Sequence, residues 1–504
     1  MFILTLFFVS LILSGLSGLL FLSQRVPLVY VRFHIGIISL PALVSLFAFC
    51  NTSASRNVGL LHLDSLTWFM AFFVLTIGIV IQRFSVRYLL GNLFYRKYFI
   101  LYTVITGGAA VTWLSDDFRL LVGCWGITLM GLTILISINR KWKVTRAATR
   151  LSGYVFAVSW LALLAAIIWL YQVTGDWNFS SALTNDSLAH ISSWEKTGIN
   201  LLLVLAVIIP AAQWPFHNWL IESIVAPTPV SAIMHAGIVN AGGIMLTRFS
   251  PLFNGDKAQI FLLVLSSISV LIGIGISLVQ VDYKRQLVGS TISQMGFMLI
   301  QCALGAYLAA IIHLVLHGLF KATLFLQAGS ALHQHEKLSQ VNKRSSFLWT
   351  MTGYVLGLLT GVAYWMLAPG GGYQLVNAFI LGWSLSFSWK KLIAFSRGRI
   401  DRMVGLFILG VSAIVYFLIH SLFKGWLHAN VYQSVQIPLP FVLIVVCLLI
   451  LGSVMDALAA RYSSSALFAV LYLWLVKLGE GQAKSTESHP NYLKQYPSER
   501  GNRL

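Results

Sequence analysis

The chain has 504 residues, 58% of them hydrophobic and 10% charged, with a mean hydropathy of +0.82. A soluble domain carries roughly 25% charged residues, so the composition excludes a water-soluble globular protein and makes lipid the solvent. The net charge of +19 suggests a nucleic-acid partner only until it is placed, because the bases sit in short loops between apolar runs.

A hydrocarbon core about 30 Å thick takes about 20 apolar residues per helix, which fits about 14 to 16 spans into this chain. The expected fold is an all-α polytopic membrane protein. The first six spans fall near residues 1–22, 28–50, 60–82, 97–113, 118–138 and 152–172. Phe2–Leu22 has no charged leader and no small-residue cleavage site, so it is expected to stay as a helix. Three basic clusters follow the first, third and fifth spans. They are Arg25 and Arg32; Arg83, Arg87, Arg96 and Lys97; and Arg140, Lys141, Lys143, Arg146 and Arg150. By the positive-inside rule these loops face the cytoplasm and the N-terminus lies outside. The loop at 173–198, with Asp176, Asp186, Glu195 and a single lysine, reads as an outside loop.

Residues 206–248 hold two apolar runs around a break, Glu222-Ser223-Ile224-Val225-Ala226-Pro227-Thr228-Pro229. Pro227 and Pro229 remove backbone donors and disfavour helix in the residues before them, so a helix break is expected here. Irregular backbone at membrane depth is tolerated only where protein buries it or it lines a wet cavity. Glu222, His235 and Asn240 flank the break inside apolar sequence, which marks a candidate ion or substrate site.

Spans near 258–281 and 287–306 are separated by Val281-Asp282-Tyr283-Lys284-Arg285-Gln286. On its residues alone this is either a short charged turn or a second polar interruption. The span at 307–329 is harder to explain blandly. His313, His317 and Lys321 follow at i, i+4 steps, so at about 3.6 residues per turn they share one helix face. A mid-membrane lysine costs about 2.5–3.5 kcal/mol on insertion scales, and two imidazoles on its stripe favour a wet file that hands protons along. Structural polar packing is the bland alternative. A zinc pair is a further one, since His313 and His317 have suitable spacing. No glutamate lies between them, however, and Lys321 would repel a metal.

Elsewhere the signals are weaker. His217, between Trp214 and Trp219, can face a cavity or the interface, and His333 and His335 read as solvated loop residues. His34, His62, His420 and His428 read as interfacial. The cysteines at 50, 124, 302 and 447 are single and read as buried free thiols. Further spans fall near 346–367, 373–388, 403–423, 438–456 and 463–477, around a turn at Pro369–Gly372 and a basic loop with Lys390, Lys391, Arg397, Arg399 and Arg402. No nucleotide, haem or redox signature occurs, so no cofactor is expected.

Several stretches together resemble one family, the proton-translocating antiporter-like subunits of respiratory complex I and Mrp-type antiporters. They are AAQWPFHNWLIESIVAPTPVSAIMHA at 211–236, VDYKRQLVGSTISQMGFM at 281–298 and HLVLHGLFKATLFLQAGS at 313–330. LDSLTWFMAFFV at 63–74 also matches the opening of the family's third span. The resemblance covers roughly residues 60–335. It implies discontinuous helices around a hydrated axis, and an ion pathway through Lys284, His313, His317, Lys321, His235, Glu222 and Asp282. It also implies a mid-membrane place for Lys284, and a helix break at Pro227 and Pro229. On this basis four regions are expected: N-terminal helices at 1–59, a conducting core at 60–335, C-terminal helices at 336–477 and a polar, disordered tail at 478–504.

The departures are as informative. Where the family carries a glutamate after the fifth-span tryptophan, this chain has Gly126 after Trp125. Pro210 stands where the family has a lysine, and Trp160 lies near the place of a sixth-span acid. The long lateral helix that the complex I subunit appends has no counterpart before residue 504, which argues against a full complex I role. In outline the chain is similar to the DabB (MpsA) type of inorganic-carbon subunit. That similarity implies a bacterial plasma membrane, H⁺ or Na⁺ as coupling ion, and a DabA-like zinc protein related to β-carbonic anhydrases as partner. No enzymatic role is expected of this chain itself. The alternative is a proton-pumping subunit of a complex I-like or Mrp-type assembly.

Overall fold

The computed structural model describes residues 1–328 apart from 53, and beyond them 347–367, 372–389, 399–427, 431, 440, 443–447, 450–452 and 466–481. His333, His335, His428, Lys390, Lys391, Arg397, most of the expected span at 438–456 and the tail from 482 lie outside the described residues.

Helices dominate because lipid leaves backbone polar groups no partner but the chain itself. In order they are α1 Phe2–Leu19, α2 Tyr30–Asn51, α3 Ser65–Tyr88, α4 Tyr95–Leu114, α5 Phe118–Ile136 and α6 Lys143–Thr174. Two short turns, α7 Phe179–Ala182 and α8 Asn185–Ala189, lie in the connection between α6 and α9. Then come α9 Ser193–Ile208, α10 Asn218–Glu222, α11 Thr228–Ala236, α12 Ala241–Arg248 and α13 Ser250–Phe253. The long α14 Ala258–Val279, α15 Tyr283–Ala303 and α16 Tyr307–Leu326 follow, then α17 Phe347–Leu367, α18 Gly372–Trp389, α19 Arg399–Leu427 and α20 Ala466–Gly479. Among the described residues the only paired strands form an antiparallel hairpin, β1 Arg56–Val58 with β2 Leu61–Leu63, pairing Asn57 with His62. Among the described residues, nine helices are long and apolar enough to cross a membrane.

Besides the interruption at Ala226–Pro227, the chain leaves regular helix at two further places that no proline run announced. Between α9 and α10 the chain leaves helix from Ile209 to His217, with Ala212 in the left-handed region at φ 51°. Protein groups take up the freed backbone there: Ser269 Oγ accepts from the Trp214 amide at 3.0 Å, and the Trp219 indole donates to the Ile209 carbonyl at 2.8 Å. The second break, between α11 and α12, falls at Gly237–Asn240. Of the most apolar 18-residue stretch within Thr228–Arg248, 94% of the residues are buried, against 6% within Arg402–Leu427 on α19. The broken helices are therefore jacketed by protein, the condition under which irregular backbone survives at membrane depth.

Pro227 and Pro229 sit at the connection between α10 and α11. Thr228 Oγ1 lies 3.0 Å from Tyr88 Oη at the last residue of α3. Val225, Ala226 and Pro227 line a cleft of about 560 Å³ with Leu93 and Phe94 of the α3–α4 turn and Lys141 and Trp142 of the α5–α6 turn. The prolines thus lie at the end of the bundle that carries the basic loops. Helix is interrupted here, with Ala226 and Pro227 extended between the turn Ser223–Val225 and α11; a proline at the start of α11 suits a helix opening, where its missing N–H has no partner to lose.

Candidate functional site

The interior polar groups come together where α16 crosses the second break and the first half of α15. Lys321, on α16, is 1% exposed, and His235 and His317 are 1% and 5% exposed. The Lys321 amine donates to the Leu287 carbonyl at 2.9 Å and to the Ser290 hydroxyl, both on α15. His235, in the last turn of α11, bonds Thr291 Oγ1 through Nδ1 at 3.0 Å and stacks on Phe325 with ring centroids 4.2 Å apart. His317 Nδ1 bonds Asn240 Oδ1 at 3.0 Å, which ties the continuous α16 to the break. His313 continues the file one turn on, its ring 6.2 Å from that of His317, and is partly exposed.

Local sequence explains the close approach. A Cβ at Gly318 would meet the Ala236 carbonyl oxygen at 2.9 Å and the Phe73 ring at 2.8 Å. Only glycine lets α16 lie against the break. Asn240 Nδ2 in turn donates to the Ala236 carbonyl at 2.8 Å, satisfying an acceptor that the break leaves without its helical partner.

The other expected pathway residues lie apart from this file. Lys284 is in the first turn of α15, partly buried, two residues after the exposed Asp282. Its expected mid-membrane place is corrected: the charged turn between helices is what the structure contains. Asp282 caps α15, accepting from the Arg285 amide at 2.9 Å. Glu222 is buried at the end of α10, with its carboxyl against Gly481 just beyond α20. Among the described residues no ion pair joins Glu222, Asp282 or Lys284 to the file.

Some contributors were missed on the sequence. Thr291 and Ser290 look like ordinary small polar residues in a span, and Leu287 contributes only a carbonyl. His34, expected at an interface, is wholly buried, bonded to Ser17 Oγ at 2.9 Å and Thr103 Oγ1 at 3.0 Å. Among the described residues, no group of three or more His, Cys, Asp or Glu side chains is placed to hold a metal.

The sequence of residues 115–400 matches the family model described as NADH:quinone oxidoreductase/Mrp antiporter, transmembrane. The chain is 64% identical over 496 residues to the probable inorganic carbon transporter subunit DabB of Bacillus subtilis (strain 168), covering 98% of each. The chain belongs to the antiporter-like membrane subunit family. It is also 62% identical to the Bacillus anthracis protein of the same description, covering 99% of this chain and 98% of that one. In fold it is similar to a chain of the Mrp complex from Dietzia sp. DQ12-45-1b, with a TM-score of 0.66 at 21% identity. That match covers 99% of this chain but 59% of the Mrp chain. A multi-pass membrane protein with discontinuous helices is what the family resemblance led one to expect.

The departures from the family pattern have a structural counterpart. A Cβ at Gly126 would lie 2.7 Å from the Trp160 indole nitrogen, and that nitrogen donates to the Val122 carbonyl at 3.0 Å. Gly126 and Trp160 are thus packed as a pair, filling the place where the family resemblance implied acids.

Proposed function

We propose that this chain is the proton-conducting membrane subunit of an energy-coupled inorganic-carbon accumulation complex. The observation that carries the proposal is the buried file of Lys321, His235 and His317, which is made wholly of basic and neutral groups. Its oxygen atoms at Leu287, Ser290, Thr291 and Asn240 are already engaged by nitrogen donors. A metal cation would need such oxygens turned toward it and would be repelled by the lysine. Imidazoles and an amine can instead take up and release protons. The high identity to DabB relatives supports inorganic carbon as the coupled substrate.

In this reading the basic-loop end faces the cytoplasm. A DabA-like zinc protein docks there and hydrates carbon dioxide to bicarbonate. Hydration alone is reversible, so the ion flow through this subunit supplies the direction. The test is carbon-dependent growth of a host lacking its own uptake, with this chain alone, its zinc partner alone, or both. Accumulation is expected only with both, and only without an uncoupler. Uptake that survives the uncoupler, or that this chain sustains unaided, overturns the reading. The fold likeness to an Mrp chain favours a second reading, a subunit of a cation/proton antiporter assembly. Rescue of sodium-sensitive growth without any carbon phenotype would select it.

A further inference from the structure

The file has a hydrogen-bond direction that residue types alone do not give. Asn240 Nδ2 donates to the Ala236 carbonyl at 2.8 Å, so the atom turned toward His317 Nδ1, 3.0 Å away, is Oδ1. A carbonyl oxygen only accepts, and His317 Nδ1 must therefore carry a proton. Thr291 gives the same answer for the second ring. Its hydroxyl donates its one proton to the Leu287 carbonyl at 2.8 Å, which leaves Oγ1 to accept from His235 Nδ1 at 3.0 Å. The Leu287 carbonyl also accepts from Lys321 at 2.9 Å, so one backbone oxygen anchors both the lysine and the holder of His235.

We infer that Asn240 and Thr291 are positioning residues that fix His317 and His235 as Nδ1–H tautomers, so that protons enter and leave each ring at Nε2. The consequence for conduction rests on the proposed proton pathway; the tautomers themselves do not. His317 Nε2 is buried with no protein partner among the described residues, which makes it the atom that water must reach. A proton arriving at Nε2 gives an imidazolium still held at Nδ1 by Asn240. The ring then returns the Nε2 proton and needs no flip to reset. Each histidine is a one-sided stop beside a water path, in contrast to a wire that takes a proton at one nitrogen and releases it from the other.

The test is NMR of the purified full chain with ring-¹⁵N histidine, whose shifts separate protonated from bare Nδ1. His235→Gln and His317→Gln variants assign the signals. Both rings are expected as Nδ1–H tautomers in the wild type. Asn240→Leu should release His317, and Thr291→Val should release His235, into mixtures containing the Nε2–H form. Proton flux in proteoliposomes should fall about tenfold in each, the scale of losing a group that orients a histidine. Thr291→Ser retains the acceptor and should keep the wild-type His235 tautomer, and an Asn240→Leu variant that melts within a few degrees of the wild type separates a folding defect from lost positioning at His317. An Nε2–H signal from either ring in the wild type overturns the inference, as do unchanged tautomers in both Asn240→Leu and Thr291→Val. Should the tautomers shift as expected while flux stays at the wild-type level, the assignment stands and the conduction reading fails.

Discussion

The Lys321 amine lies 2.9 Å from the Leu287 carbonyl oxygen, anchored across the helix interface to the second turn of α15. Lys284, one turn earlier on the same helix, is only partly buried and serves a charged turn. Two lysines that a linear reading groups together thus stand in different surroundings.

That difference predicts different phenotypes. Lys321→Ala should lower proton flux by about a hundredfold or more, the scale of losing a positioned proton carrier. Lys321→Arg should fail equally, since arginine does not release its proton. Lys321→Met should be at least as thermally stable as the wild type, because burying an amine costs free energy that an apolar chain does not. Lys284→Ala should stay within about twofold of the wild-type flux, as expected for a residue at a helix end. Flux measured in proteoliposomes decides: equal losses in Lys284→Ala and Lys321→Ala would sink the distinction.

The proline connection and the other breaks can be separated in the same way. Pro227 and Pro229 lie at the basic-loop end, so changing both to alanine should cost about 0.4–1 kcal/mol each through unfolded-chain entropy and leave flux within about twofold. Gly318→Val, in contrast, forces Cβ toward the Ala236 carbonyl oxygen, 2.9 Å from where that atom would sit. Prising α16 from the break should cost about 1–3 kcal/mol and abolish flux. A dead proline variant beside an active Gly318→Val would reverse the assignment of the breaks.

Asp64 offers a prediction in pH. It caps α3, accepting from the Thr67 amide at 2.7 Å, while Thr67 Oγ1 accepts from the Asp64 amide at 3.0 Å. Burial pushes its carboxyl up, but the hydrogen bond with His62 and the Thr67 amide outweigh that and hold it below the ordinary aspartate range. A carboxyl depressed on folding stabilises the folded state above its unfolded value, about 3.9, and that share is lost as pH falls through the lower folded value. Asp64→Ala should cost about 1–2 kcal/mol at neutral pH and lose less to acid below about pH 4 than the wild type does. Melting curves from pH 7 to pH 3 would show it; parallel acid losses in both proteins would count against the cap.

How much of this was legible follows from which signals are periodic. His313, His317 and Lys321 repeat at the helical step, so one face could be read directly. The all-helical architecture followed from composition, with the β1–β2 hairpin too short to announce itself. Proline is the loudest local signal, and it marked the interruption at Ala226–Pro227. The other two breaks depend on tertiary partners: Ser269 for Trp214, and the close approach of Gly318 to Ala236, neither of which has a local pattern. Thr291 and Asn240 matter through atoms 56 and 77 residues away in sequence, a distance no motif spans.

The pairing of Gly126 with Trp160 yields the last prediction. The indole nitrogen donates to the Val122 carbonyl at 3.0 Å and leaves 2.7 Å for a Cβ at Gly126, less than any real contact allows. Gly126→Glu alone must therefore displace the ring and place a carboxyl among apolar neighbours, at about 1–3 kcal/mol for the overpacking before any desolvation. Trp160→Ala alone removes the ring and its hydrogen bond and leaves a void, at about 3–5 kcal/mol. The double variant gives the carboxyl the space that the ring vacated, so its loss should be smaller than the sum by about 1–3 kcal/mol. Because the file through Lys321 does not involve these residues, the double variant should keep flux wherever it keeps its fold. A double-mutant cycle on thermal stability, read with flux in the same preparations, tests both parts. Strict additivity would mean that the two positions do not meet. Flux lost in a double variant that melts like the wild type would mean that conduction runs through this pair as well.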